Sequence, residues 1–151
     1  MLADKYMMNP NDIWIEGAIP PGKIADFIAQ QQAKTTIGAY DIFLGQVRAD
    51  IVNGQPVTAI GYSAYEAMAL QAFQDIEAAA YKRFDLIHLE IYHSLGQVKA
   101  GEICLFVAVT SAHRKAAMEA CRFVVEAIKA DVPVFGKEIF EDQSHQWKVN
   151  R

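Results

Sequence analysis

Five cations stand near the ends of elements in this sequence: Arg48, His113, Arg114, Lys129 and Lys137, with the rings of Phe43 and Phe135 close to them along the chain. Such a set suits a flat substrate that carries a phosphate. Cations hold the anion, aromatic faces take the ring, and a lysine of lowered pKa moves a proton. The densest part is residues 110–138, TSAHRKAAMEACRFVVEAIKADVPVFGKE. It predicts the end of a buried strand, a helix opened by Ser111, and a turn at Pro133 into a strand bearing Lys137. His113 and Arg114 then fall in the first helical turn, where the macrodipole disfavours a cation by ~0.3–1 kcal/mol. A bound anion offsets that cost, because the free backbone N–H groups of a helix start attract one. The plainer alternative is that both side chains are solvated, or that Arg114 pairs with a surface carboxylate. For Lys129 the plainer alternative is a helix-end cation complementing the dipole, and for Arg48 a solvated residue beyond a bulged edge.

Other chemistries have less to stand on. The sequence has no Gly-x-Ser-x-Gly elbow, no Cys-x-x-Cys and no His-Glu-x-x-His. His88, His93, His113 and His145 fall on separate elements without the paired spacing of zinc ligands, so no metal is expected, and no resident cofactor. Cys104 and Cys121 sit in apolar surroundings and read as small core residues. A thiol enzyme using Cys121 with His113 is an alternative, but eight residues of helix set the two about two turns apart.

The chain is 151 residues long, enough to bury roughly two-thirds of its unfolded surface, and reads as one domain over 1–151. Its 52% hydrophobic and 21% charged residues are those of an ordinary globular protein, with no apolar run near the ~20 residues of a membrane span. A net charge of −4 argues against wholesale nucleic-acid binding. The start MLADKYMMNPND lacks a basic end and apolar core, and with two cysteines this points to the cytoplasm.

The elements that must position these residues follow from hydrophobic period. Residues 11–17 predict a first strand, and Pro20-Pro21-Gly22 introduces a helix facing the core with Ile24, Phe27 and Ile28 and ending near Lys34. Residues 38–48 predict a strand with Tyr40, Ile42 and Leu44 on one side and Asp41, Phe43 and Gly45 on the other, Gly45 marking a bulge or a close ligand approach. Asn53-Gly54 predicts a hairpin over 46–65 with a fairly long loop. A helix over 66–83 carries Ala69, Phe73, Ile76 and Ala80. Residues 86–93 alternate as a half-buried strand, with His88 toward solvent and His93 just before a turn at Leu95-Gly96. Residues 103–109 predict a central strand covered on both faces. A helix over 112–130 turns Ala117, Cys121, Val124, Val125 and Ile128 inward, Pro133 stops it, residues 134–140 form a strand, and a polar tail follows.

The ordered set FLGQVR (43–48), YSAYEAMA (62–69), SAHR (111–114) and the series Lys129, Pro133, Lys137, Glu138 resembles the catalytic, large subunits of molybdopterin synthase. The resemblance runs from about Gly38 to Trp147. It implies an α+β fold in a single domain, α/β hammerhead-like, with a mixed or antiparallel sheet and three main helices. It also implies an activity: two sulfurs are added to cyclic pyranopterin monophosphate to make molybdopterin. The sulfur arrives as a thiocarboxylate on the C-terminal Gly-Gly of a small ubiquitin-like subunit, and a dimer of large subunits carries two small ones. Carried over by position, substrate contacts fall on Phe43, Gln46, Val47, Arg48, His113, Arg114, Gly136 and Glu138, and the catalytic lysines on Lys129 and Lys137.

Three positions depart from the family pattern. Gly136 stands where the family has a second lysine, and Lys137 substitutes for it only if the strand bulges, since neighbouring strand residues face opposite ways. His93-Ser94 replaces the usual His-Arg, and Tyr62-Ser63 the usual Tyr-Glu. Gly136 also keeps open a non-catalytic subunit that binds an anion or a partner's tail. Finally, Arg114 and Lys129 are fifteen residues apart on one expected helix, roughly 22 Å. One small phosphate reaches both only if two copies of the chain share each site.

Overall fold

The computed structural model describes residues 12–149. Residue 11 of the first expected strand, the start read for a leader and the last two tail residues lie outside that range. The elements in chain order are β1 (Trp14–Glu16), α1 (Gly22–Gln31), β2 (Ala39–Gln46), β3 (Ile51–Val52), β4 (Gln55–Ala64), α2 (Glu66–Arg83), β5 (His88–Lys99), β6 (Ile103–Ser111), α3 (Arg114–Asp131), β7 (Val134–Phe140) and β8 (His145–Trp147). The strands join in the order β2-β6-β5-β4-β7-β8, with β1 on β5 and β3 on β4. Among the described residues every pairing is antiparallel except β1 with β5, so the sheet is mixed, in an α+β fold with three helices there.

The period of β6 explains how the layers form. Leu105, Val107 and Val109 point toward α2 and α3 and pack with Phe73, Ile76, Val124 and Ile128. Phe106 and Ala108 point the other way, onto Phe27 of α1. The strand is therefore covered on both faces, as its unbroken apolar run predicts. Each fully buried side chain such as Phe73 or Phe106 contributes about 1.5–3 kcal/mol. A third cluster, with Val47, Val57, Ile60, Val98, Cys104 and Phe140, fills the far end of the sheet.

Several expectations change. The hairpin over 46–65 is much tighter: Asn53 and Gly54 both have positive φ and form a two-residue turn between β3 and β4, while β2 pairs with β6 instead. No turn occurs at Leu95-Gly96. Gly96 takes its positive φ of 77° inside β5, which runs on to Lys99 with Tyr62 opposite Gly96, and the reversal waits for Gly101. His88 is half-buried, stacked on Phe27 and hydrogen-bonded to Glu90. Burial would raise the Glu90 carboxyl, but His88 and Tyr92 bind its charged form and hold it below the ordinary value. The third long helix begins at Arg114, with His113 as an extended N-cap, so Ser111 ends β6 rather than opening the helix. The tail adds an unexpected strand, β8, against β7.

At Gly45 the register with β6 shifts, and a Cβ there would press within 3.2 Å of Leu105. The glycine is thus the bulge that its place in a strand predicts. Among the described residues no helix is long and apolar enough to cross a membrane.

Candidate functional site

The last turn of α3 carries Lys129 between Ile128, buried in the core, and Val132. Pro133 ends the helix and turns the chain directly into β7, which places Val134 and Gly136 beside that turn. Because β4 lies between β5 and β7, Tyr62 is opposite both Gly96 and Gly136. β5 contributes His93, and the chain leaving β8 contributes Lys148. Together Tyr62, His93, Ile128, Lys129, Val132, Val134, Gly136 and Lys148 line one pocket.

The electrostatics of the pocket follow from partial burial. Lys129 is exposed as a whole residue, yet it lines the pocket wall. Desolvation there pulls its pKa below the ordinary lysine value, Cys104 opposes the shift, and the Lys148 charge adds to it. That shift suits a proton-transferring amine. Burial likewise pushes the Tyr62 phenol upward, with Cys104 adding to the effect, so it stays neutral.

His93 is 4% exposed, with the Tyr62 and Trp14 rings edge-on at 5.5 and 5.9 Å. Its Nδ1 lies 2.8 Å from the Ser94 carbonyl, which can only accept, so Nδ1 carries the proton and Nε2 the lone pair. Burial lowers its pKa from 6.5 to about 4; the Ser94 contact opposes this and the Lys129 charge reinforces it.

That depressed value has a thermodynamic consequence. Below 6.5 the unfolded chain takes up a proton that the folded His93 refuses until about pH 4. Stability is therefore lost as pH falls through that window. The expected loss is about 2 kcal/mol between pH 7 and pH 5. Urea unfolding of wild type and His93→Phe at both pH values checks it. The substituted protein should lose about 2 kcal/mol less on acidification, and equal losses would mean that His93 protonates freely in the fold.

The other residues expected at the site lie elsewhere in a single copy. Lys137 is opposite Gly61, and the register of β7 is regular through Gly136, so no bulge turns Lys137 toward the pocket. Glu138 is buried and accepts a hydrogen bond from Gln146. Phe43 and Gln46 are exposed on β2, which among the described residues pairs on one side only. Arg48 is exposed and makes a surface pair with Asp50 at 3.3 Å. Val47 is buried, with its N–H given to Glu102 and its carbonyl taken by Gly101. His113 and Arg114 are exposed at the opposite end of α3 from Lys129.

The thiol alternative loses its chemistry, because burial raises Cys121 to about 12. Among the described residues no three His, Cys, Asp or Glu side chains gather as a metal site.

Residue spacing did not single out Tyr62, His93 or Lys148 as pocket residues. Tyr62 is the first residue of YSAYEAMA, and its signals were that motif and the Tyr62-Ser63 departure from the family pattern. His93 was read as a strand end, and Lys148 belongs to the polar tail.

The MoaE protein family matches residues 18–131. The chain belongs to the MoaE family. The molybdopterin synthase catalytic subunit of Bos taurus is 34% identical over 126 residues, covering 83% of this chain and 66% of that protein. That of Oryza sativa subsp. indica is 42% identical over 114 residues, covering 76% and 58%. The chain thus spans less than two thirds of the length of these two relatives. The crystal structure of molybdopterin synthase from Staphylococcus aureus superposes with a TM-score of 0.79 at 27% identity, over 95% of this chain and 99% of that one. This MoaE-family chain therefore has its lysine pocket on a fold shared with a molybdopterin synthase.

Proposed function

We propose that this chain is the large, catalytic subunit of a molybdopterin synthase. It takes sulfur from the thiocarboxylated C-terminal Gly-Gly of a small ubiquitin-like subunit and adds it to cyclic pyranopterin monophosphate, forming the dithiolene of molybdopterin. The observation that carries the proposal is Lys129: a lysine at a helix end, within the segment that matches the MoaE family and in a pocket that lowers its pKa. Sulfur bonds to the pterin carbon as an oxygen leaves it, and water then cleaves the acyl–sulfur bond, leaving the tail as a carboxylate. The Lys129 ammonium protonates the departing oxygen as the cyclic phosphate opens, and neutral Lys129 takes the proton from that water. A sulfur delivered on a partner's tail also suits a chain whose Cys121 thiol is buried and inert.

The site is proposed to be shared between two copies. The pocket encloses about 40 Å³, against the roughly 300–1,000 Å³ of small-molecule sites. His113 and Arg114, with Arg48, Gln46 and Phe43, would complete it from a second copy and hold the phosphate. The assembly is then a homodimer core flanked by two small subunits, working in the cytoplasm without a resident cofactor.

The test is reconstitution with thiocarboxylated small subunit and the cyclic pterin, followed by detection of the dithiolene product. Product is expected at a rate that saturates in both reactants. Tail binding without product would favour the second reading, a non-catalytic subunit that binds an anion or a partner's tail. The glycine at position 136 keeps that reading in play.

A further inference from the structure

The pocket holds a second lysine. Lys148 is brought to it by the pairing of β8 with β7, and its backbone N–H donates to the Gly136 carbonyl at 2.8 Å. Its Cβ lies 3.7 Å from where a Cβ at position 136 would stand. That point would also be 3.1 Å from Ile60 and 3.5 Å from Tyr62, so a side chain on β7 here would crowd both. The bare glycine leaves this corner to Lys148. Among the described residues no carboxylate lines the pocket, while Lys129 and Lys148 both do.

We propose that Lys148 is the second lysine of the reaction centre, where its ammonium binds the anionic group of the incoming reactant beside Lys129. This rests on the sulfur-transfer reading above. The groups that face Lys129 are Tyr62 from β4, His93 from β5, Cys104 from β6 and Lys148 after β8. Tyr62 is held neutral, and so is His93 at pH 7. Lys148 is thus the fixed positive neighbour, and its charge helps Lys129 release a proton. β7, the strand against which β8 delivers it, supplies no side chain at position 136.

A test that needs no turnover is competitive acetylation of Lys129 across a pH series at low salt, read by peptide mass spectrometry on the whole protein. Lys148→Ala should move the Lys129 midpoint upward, whereas Lys148→Arg, which keeps the charge, should leave it in place. Lys148 is exposed, so both variants should fold, and circular dichroism verifies this.

In the reconstituted reaction, Lys148→Ala should raise one KM about tenfold. A rise for the pterin identifies the anion as its phosphate, and a rise for the small subunit identifies it as the thiocarboxylate. An unmoved Lys129 midpoint in Lys148→Ala, or both KM values unchanged, overturns the proposal. A wild type that makes no product would strike the sulfur-transfer reading instead, and would leave the acetylation result standing.

Discussion

Lys129→Ala is expected to lower turnover by about 10²–10⁴-fold, the usual contribution of a positioned acid or base, or roughly 3–5 kcal/mol of barrier. KM for the pterin should move much less, because a group that acts mainly in the transition state adds little to ground-state binding. Lys129→Arg should be nearly as poor. A guanidinium keeps the positive charge but does not deprotonate near neutral pH, so a variant that retains charge and loses the rate separates proton transfer from simple attraction. The fold should survive both changes, since Lys129 is not among the buried core residues and its removal leaves no core cavity. Lys137→Ala serves as the contrast. Its side chain stands on the strand face opposite Gly136, so turnover should stay within about threefold of wild type. A loss of tenfold or more would show that Lys137 acts after all, from the other face of the sheet. Steady-state kinetics on the reconstituted complex measures all three variants, and near-wild-type turnover in Lys129→Ala would remove the proposed proton carrier.

What the sequence made legible is what local pattern determines. Helix α2 has the predicted bounds because Ala69, Phe73, Ile76 and Ala80 recur at helical spacing and all four are buried. β7 begins where Pro133 breaks the preceding helix, and β6 is apolar on both faces because helices cover both. The misreadings share one cause: they depend on partners distant in sequence. Leu95-Gly96 has the composition of a turn, but pairing with β4 and β1 carries β5 straight through it. Nothing in the three residues of β8 signals a strand until β7 lies alongside.

The site divides in the same way. Lys129 was legible as a helix-end cation, and family resemblance gave it a role. His93 became a buried neutral imidazole only when Trp14, Tyr62 and Phe73 surrounded it. Lys148 reached the pocket only through β8. The resemblance also placed His113 and Arg114 at the same site as Lys129, whereas α3 holds them at opposite ends.

That separation makes the shared site the central claim, and subunit mixing tests it most directly. Arg114→Ala and Lys129→Ala proteins should each be inactive alone in the reconstituted reaction. A mixed dimer has one site with both residues intact and one site with neither. Random exchange makes about half the dimers mixed, so activity should return to about a quarter of the wild-type level. Exchange can be followed by native mass spectrometry of differently tagged chains. Recovery to that level is the predicted result; verified exchange with activity still at background would contradict it and place the whole reaction centre within one chain.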